Sequence, residues 1–186
     1  MKANEYMREA MYLTAYPLLF YIFKSVIRTA SCVLCASIAL AQQLPQKRNW
    51  FNDPFFQVSA QVPNCPVPAG PFLTEQERRA QAHYRAERGT SCWLAGNCDR
   101  PSSYAYDQGI AEDLQSALRK NNPVPNASLW VTVQRRIVFV EGCVADERAS
   151  STLEAFMRAI PNVEQVVVSV YSKPSERPPY KLLTSP

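Results

Sequence analysis

Glycine and histidine are scarce in this chain, with five glycines and one histidine among 186 residues. No phosphate-cradling glycine loop can be found, and neither an H-E-x-x-H nor a G-x-S-x-G segment occurs. The common signatures of nucleotide sites, zinc peptidases and serine hydrolases are therefore missing. His83 stands with Arg79 and Glu87 at spacings of four, the pattern of a solvated helix face, and no serine or cysteine nucleophile can be named to work with it. The expectation is a protein that is not an enzyme, with no cofactor and no metal. Charge of one sign is also lacking. A net charge of +4, with no concentrated basic face and no zinc-finger or aromatic-basic platform, gives no reason to expect nucleic acid.

An apolar amino end is present instead. Lys24 and Arg28 precede an apolar run from Thr29 to Leu40, and Ala39-Leu40-Ala41 supplies the small residues of a signal-peptidase site, with Gln42 as the first mature residue. The run is too short to span a bilayer, which takes about twenty apolar residues. Residues 1–41 thus read as a signal peptide. A second apolar run, Met11 to Phe23, lies upstream; it either lengthens an ordinary signal or marks a retained anchor, and the well-formed exit favours cleavage. Cleavage removes Lys2, Arg8, Lys24 and Arg28 with Glu5 and Glu9, taking the net charge from +4 to about +2.

Cysteine usage supports export independently. Cys65, Cys92, Cys98 and Cys143 remain in the mature chain, an even set for an oxidising compartment. Their only close pair has five residues between its members, unlike the C-x2-C pairs of zinc sites, so two disulfides are expected. Residues 42–103 form an extension in two parts. Leu44 to Pro71 is irregular and rich in proline and aromatics. Thr74 and Glu77 then form a capping box that opens a helix over about 75–88, ended by Gly89.

Residues 105–171 carry the clearest pattern, an α+β order of helix, strand, strand, helix, strand. Asp107 reads as an N-cap, and Ile110, Leu114, Ala117 and Leu118 share a helical face before Asn121-Asn122-Pro123 stops it. Leu129, Val131 and Val133 alternate with polar or aromatic neighbours, and Ile137 to Val144 is a second strand, with only Arg135-Arg136 between them. That gap implies a tight hairpin or a longer loop, since neither arginine suits the positive φ of favoured two-residue turns. Asp146 reads as the cap of a helix whose stripe is Ala149, Leu153, Phe156, Met157 and Ile160. Val163 to Val170 follows as a third strand, with a valine content that suggests a central place. Two helices are expected on one face of a three-stranded sheet, with 172–186 as a disordered tail.

Alternation along the second strand places Val138, Val140, Gly142 and Val144 on one face and Phe139, Glu141 and Cys143 on the other. With the first set under the helices, Cys143 lies on the open face, where a bridge would tie the extension across it. Of three connectivities, the preferred one pairs Cys65 with Cys143 and Cys92 with Cys98. Gly142, a glycine inside an apolar strand, marks a bulge or the close approach of another backbone or helix.

The Val140-Glu141-Gly142-Cys143-Val144 ending, the amphipathic helix after it and the exit Ile160-Pro161-Asn162-Val163-Glu164-Gln165-Val166 resemble the BON domain, a bacterial family of osmotically inducible and nodulation proteins. Two features depart from the family: Arg135-Arg136 replaces a glycine-containing turn, and a single copy is present where many relatives carry two. The resemblance implies a periplasmic or outer-membrane-associated module that meets phospholipid surfaces in envelope maintenance or stress protection. Arg135, Arg136, Arg119 and Lys120 would be its candidates for contact with anionic headgroups. The alternative is an assembly module that docks on another envelope protein through the aromatic extension or an open sheet edge.

Overall fold

The computed structural model describes residues 45–146, 148–173 and 177–183. The expected signal peptide, with its cleavage site and the anchor alternative, lies outside them. The elements in chain order are β1 (Phe55–Ala60), α1 (Glu75–Leu94), a 3-10 turn (Ser103–Tyr106), α2 (Asp107–Lys120), β2 (Ala127–Gln134), β3 (Ile137–Val144), α3 (Ala149–Arg158) and β4 (Gln165–Tyr171).

The sheet has four strands in the order β1-β2-β3-β4, which corrects the expected three. The added strand comes from the extension: Phe55 to Ala60 pairs antiparallel with β2 and covers an edge that the hairpin alone would leave open. Prolines on either side of this six-residue stretch hid it in a segment that read as irregular. A second correction concerns β4. It runs parallel to β3 at the edge of the sheet, not at its centre, because α3 carries the chain across before it returns beside β3.

Facing pairs along the hairpin set the two faces. Leu129 opposes Gly142, Val131 opposes Val140 and Val133 opposes Val138. These side chains join Ile110, Leu114 and Leu118 of α2 with Leu153 and Met157 of α3 in one buried apolar cluster. Fully burying each such side chain contributes roughly 1.5–3 kcal/mol.

Gly142 sits where the β2 backbone comes closest. A Cβ built there would lie 2.0 Å from the Ser128 carbonyl oxygen, and its φ of +145° is one that side chains resist. The opposite face carries Ser128 beside Cys143, Trp130 beside Glu141 and Thr132 beside Phe139.

Several boundaries differ from the expectation for identifiable reasons. The Thr74–Glu77 capping box is present, with the Thr74 N–H donating to Glu77 Oε2 at 2.7 Å and the Glu77 N–H to Thr74 Oγ1 at 3.3 Å. The helix it opens does not end at Gly89 but runs on to Leu94. Gly89 is buried, and the Tyr104 ring and Ser102 hydroxyl lie against the space a Cβ would take. Asp107 is the first residue of α2 rather than its cap, because its carboxylate serves the hairpin instead. Asp146 accepts from the Arg148 N–H at 2.9 Å, and α3 begins only at Ala149. The tail is also corrected in part. Residues 181–183 hydrogen bond with the extension, Ala69 N–H to Lys181 O at 2.7 Å and Leu183 N–H to Val67 O at 3.1 Å.

Candidate functional site

The turn between β2 and β3 is tight, with φ of 56° at Arg135 and 63° at Arg136. Left-handed backbone costs a residue with a Cβ roughly 1–2 kcal/mol. Asp107 offsets this by accepting the N–H groups of both arginines, each at 2.7 Å. Burial pushes the Asp107 carboxyl up to about 6; the two N–H donors pull the other way, and the charge of Asp53 adds to the rise.

Asp53 belongs to a second clamp nearby. Arg85 donates to its two carboxylate oxygens at 2.9 and 2.7 Å, and Gln134 Nε2 donates at 2.6 Å. The pair is nearly dry, with the side chains 11 % and 4 % exposed. The Arg85 guanidinium also lies 4.1 Å from the Phe51 ring centre and 3.9 Å from that of Tyr104. Extension, α1 and hairpin end are thus joined at one place. Sequence reading missed this pair, since nothing in the local pattern links residues 32 positions apart.

Between α1 and the turn lies an open groove of about 420 Å³, lined by Arg88, Ser91, Asn97, Arg135, Arg136 and Glu164 among others. Arg136 is held by its Nε donating to Asn162 O at 2.8 Å and by the Tyr106 ring, 5.1 Å from its guanidinium. Cys92 also lines the groove, and Cys92 and Cys98 stand at disulfide distance, closing the loop that ends α1. Trp93 and Leu94, which follow Cys92 on α1, are 49 % and 74 % exposed and do not line the groove.

The remaining candidates lie elsewhere. Arg119 and Lys120 end α2, whereas the turn is held at its start, about 20 Å away along a helix of 14 residues. The four expected lipid contacts therefore do not form one patch. Cys65 and Cys143 stand at disulfide distance on the open face, with Cα atoms 5.8 Å apart. There, Pro68 is fully buried and Tyr180 donates to Pro66 O at 2.8 Å. Burial raises the Glu141 carboxyl above its ordinary value. His83 is exposed and pairs with Glu87 at 3.1 Å. Among the described residues, no cluster of histidine, cysteine and carboxylate side chains could hold a metal ion, and no helix is long and apolar enough to cross a membrane.

The clamped hairpin, the crossover through α3 and the glycine step in β3 define a small α+β module built on a stapled extension. Residues 106–170 match the sequence profile of the BON domain, once and near the carboxyl end. No curated protein and no solved structure matches the chain.

Proposed function

We propose that this is an exported cell-envelope protein whose BON module associates with phospholipid membrane surfaces and serves envelope maintenance or protection under osmotic and related stress. The observation that carries the reading is the hairpin end, where Asp107 fixes Arg135 and Arg136 at a groove that Arg88 also lines. Three arginines gathered at one groove suit an anionic headgroup layer. BON domains are associated with phospholipid binding and with protein interactions. The export signal in the sequence and the two cysteine pairs at disulfide distance support an oxidising compartment.

Vesicle flotation tests the reading. The protein should float with phosphatidylglycerol-containing vesicles, less so in high salt and several-fold less after Arg135→Ala with Arg136→Ala. If it floats with no vesicle, the assembly-module reading stands ahead. That second reading draws on β1 and β4, each of which ends the sheet with one side unpaired by any other strand among the described residues.

A further inference from the structure

Arg85 and Arg88 lie three residues apart on α1 and have opposite fates. Arg85 is half-buried in its pair with Asp53, while Arg88 rests against the Tyr84 ring at 5.3 Å and lines the groove with Arg135 and Arg136. Among the described residues, none of these three guanidinium groups has a carboxylate ion-pair partner. Glu164 is the one acid named in the lining, and it pairs with none of them. Three like charges facing one cavity repel unless an anion lies between them. The backbone adds a second observation. Arg135 and Arg136 hold a left-handed turn that asparagine and glycine would form at lower cost, so the fold accepts strain at the very position that directs two cations to the groove.

The geometry points to a phosphate site shared by the extension and the BON module, in which Arg88, Arg135 and Arg136 bind the phosphate oxygens and the Ser91 hydroxyl and Asn97 amide donate to those remaining. Guanidinium groups meet phosphate through paired N–H donors, and a group carrying up to two charges on several oxygens answers three cations better than a carboxylate does. A groove of about 420 Å³ accepts the phosphate with part of the alcohol it esterifies. Neither segment holds the site alone, because Arg88, Ser91 and Asn97 precede the matched residues 106–170. The site deepens the membrane reading and rests on it only for the source of the phosphate, a lipid headgroup or a free ester.

Titration calorimetry of the disulfide-intact protein with inorganic pyrophosphate and with glycerol phosphate, run beside sedimentation with phosphatidylglycerol vesicles, tests the proposal. Arg88→Gln should weaken binding at least tenfold, while Arg119→Gln with Lys120→Gln should leave it unchanged. Arg135→Asn with Arg136→Gly supplies a turn at least as easy to fold, so its melting temperature should hold or rise while binding falls more than tenfold. Binding of vesicles alone assigns the phosphate to a headgroup, and arginine-dependent binding of the soluble phosphates alone keeps the site while refuting the membrane reading. Vesicle binding that survives Arg88→Gln and the double turn variant overturns the groove and leaves the membrane reading intact. Binding of neither kind of ligand overturns both.

Discussion

The BON segment and the extension that precedes it are held in place by different physics. From α2 to β4 the chain closes on a dry cluster of leucine, isoleucine, valine, alanine and methionine, with no ion pair in its interior among the described residues. The extension has little of this. Its long helix α1 buries only Gly89, and its attachment comes down to separate ties. These are the β1 pairing, the Asp53–Arg85 pair, the cysteine pair at 65 and 143, and Ser128 Oγ, which accepts from the Val62 N–H at 2.8 Å and donates to Val62 O at 3.0 Å. A cluster fails as a whole, whereas ties can be cut one at a time. The extension should therefore be separable from a module that stays folded.

The largest effect is expected inside the module. Gly142→Ala would set a methyl group 2.0 Å from the Ser128 carbonyl oxygen on a central pair of strands, at a φ that alanine avoids. A clash with backbone cannot be relieved by a rotamer change, so the loss should reach about 4 kcal/mol or more, a large part of a small domain's stability. Urea denaturation measures it. A loss under 1 kcal/mol would mean that β2 and β3 do not approach as closely as described.

Cutting the ties should give smaller and unequal effects. The 65–143 bridge spans 78 residues and the 92–98 bridge only 6. Loop-closure entropy then assigns about 4 kcal/mol to the first and about 2 kcal/mol to the second. Cys65→Ser with Cys143→Ser should lower the melting temperature more than Cys92→Ser with Cys98→Ser. It should also speed amide exchange and proteolysis in residues 61–71 and 177–183 while β2, β3 and α3 remain protected. Equal losses of protection in extension and module would abolish the distinction between them. Peptide mapping without reductant checks the pairing itself, and a Cys65–Cys98 peptide would overturn it.

The same division explains what the sequence could tell. Helices and strands of the module were legible because each has its own period: the stripe through Leu153 and Met157, the alternation through Leu129, Val131 and Val133. Alternation also put Cys143 on the face away from the helices, where it now stands beside Cys65. Features that depend on distant partners were not legible. Gly89 looks like a helix end until Tyr104 is seen packed against it, and Phe55 to Ala60 looks irregular until β2 offers an edge. Asp107 looks like a cap because aspartate commonly is one, and only the hairpin's return shows what its carboxylate holds. Arg119 and Lys120 seemed natural companions of Arg135 and Arg136 as charges at element ends, but those ends lie at opposite ends of α2. The groove needed Arg88, which no local pattern separates from the solvated residues around it.

Asp107 lies at the seam of the two regions, and it offers the finest test. It belongs to the module, yet Asp53 and Arg85, charges from the extension, act on it. Its folded pKa of about 6 stands above the value of an exposed aspartate, chiefly because burial disfavours the charged form. The stability this group contributes is complete below about pH 4, is lost as the pH rises through about 6, and is level above that. Glu141 is raised as well, while Glu75, Glu77 and Asp146 are lowered and act in the opposite sense at lower pH. All of these cancel when wild type is compared with Asp107→Asn, which cannot titrate and keeps one carbonyl oxygen for the two N–H groups. The advantage of wild type over this variant should therefore shrink by about 2 kcal/mol between pH 4 and pH 7, read from urea midpoints. A constant gap would mean that Asp107 stays in contact with water and that the seam is open. A gap that narrows less when Arg85→Gln leaves the Asp53 charge in place would mean that burial by the extension, not the charge within it, sets the titration of the turn.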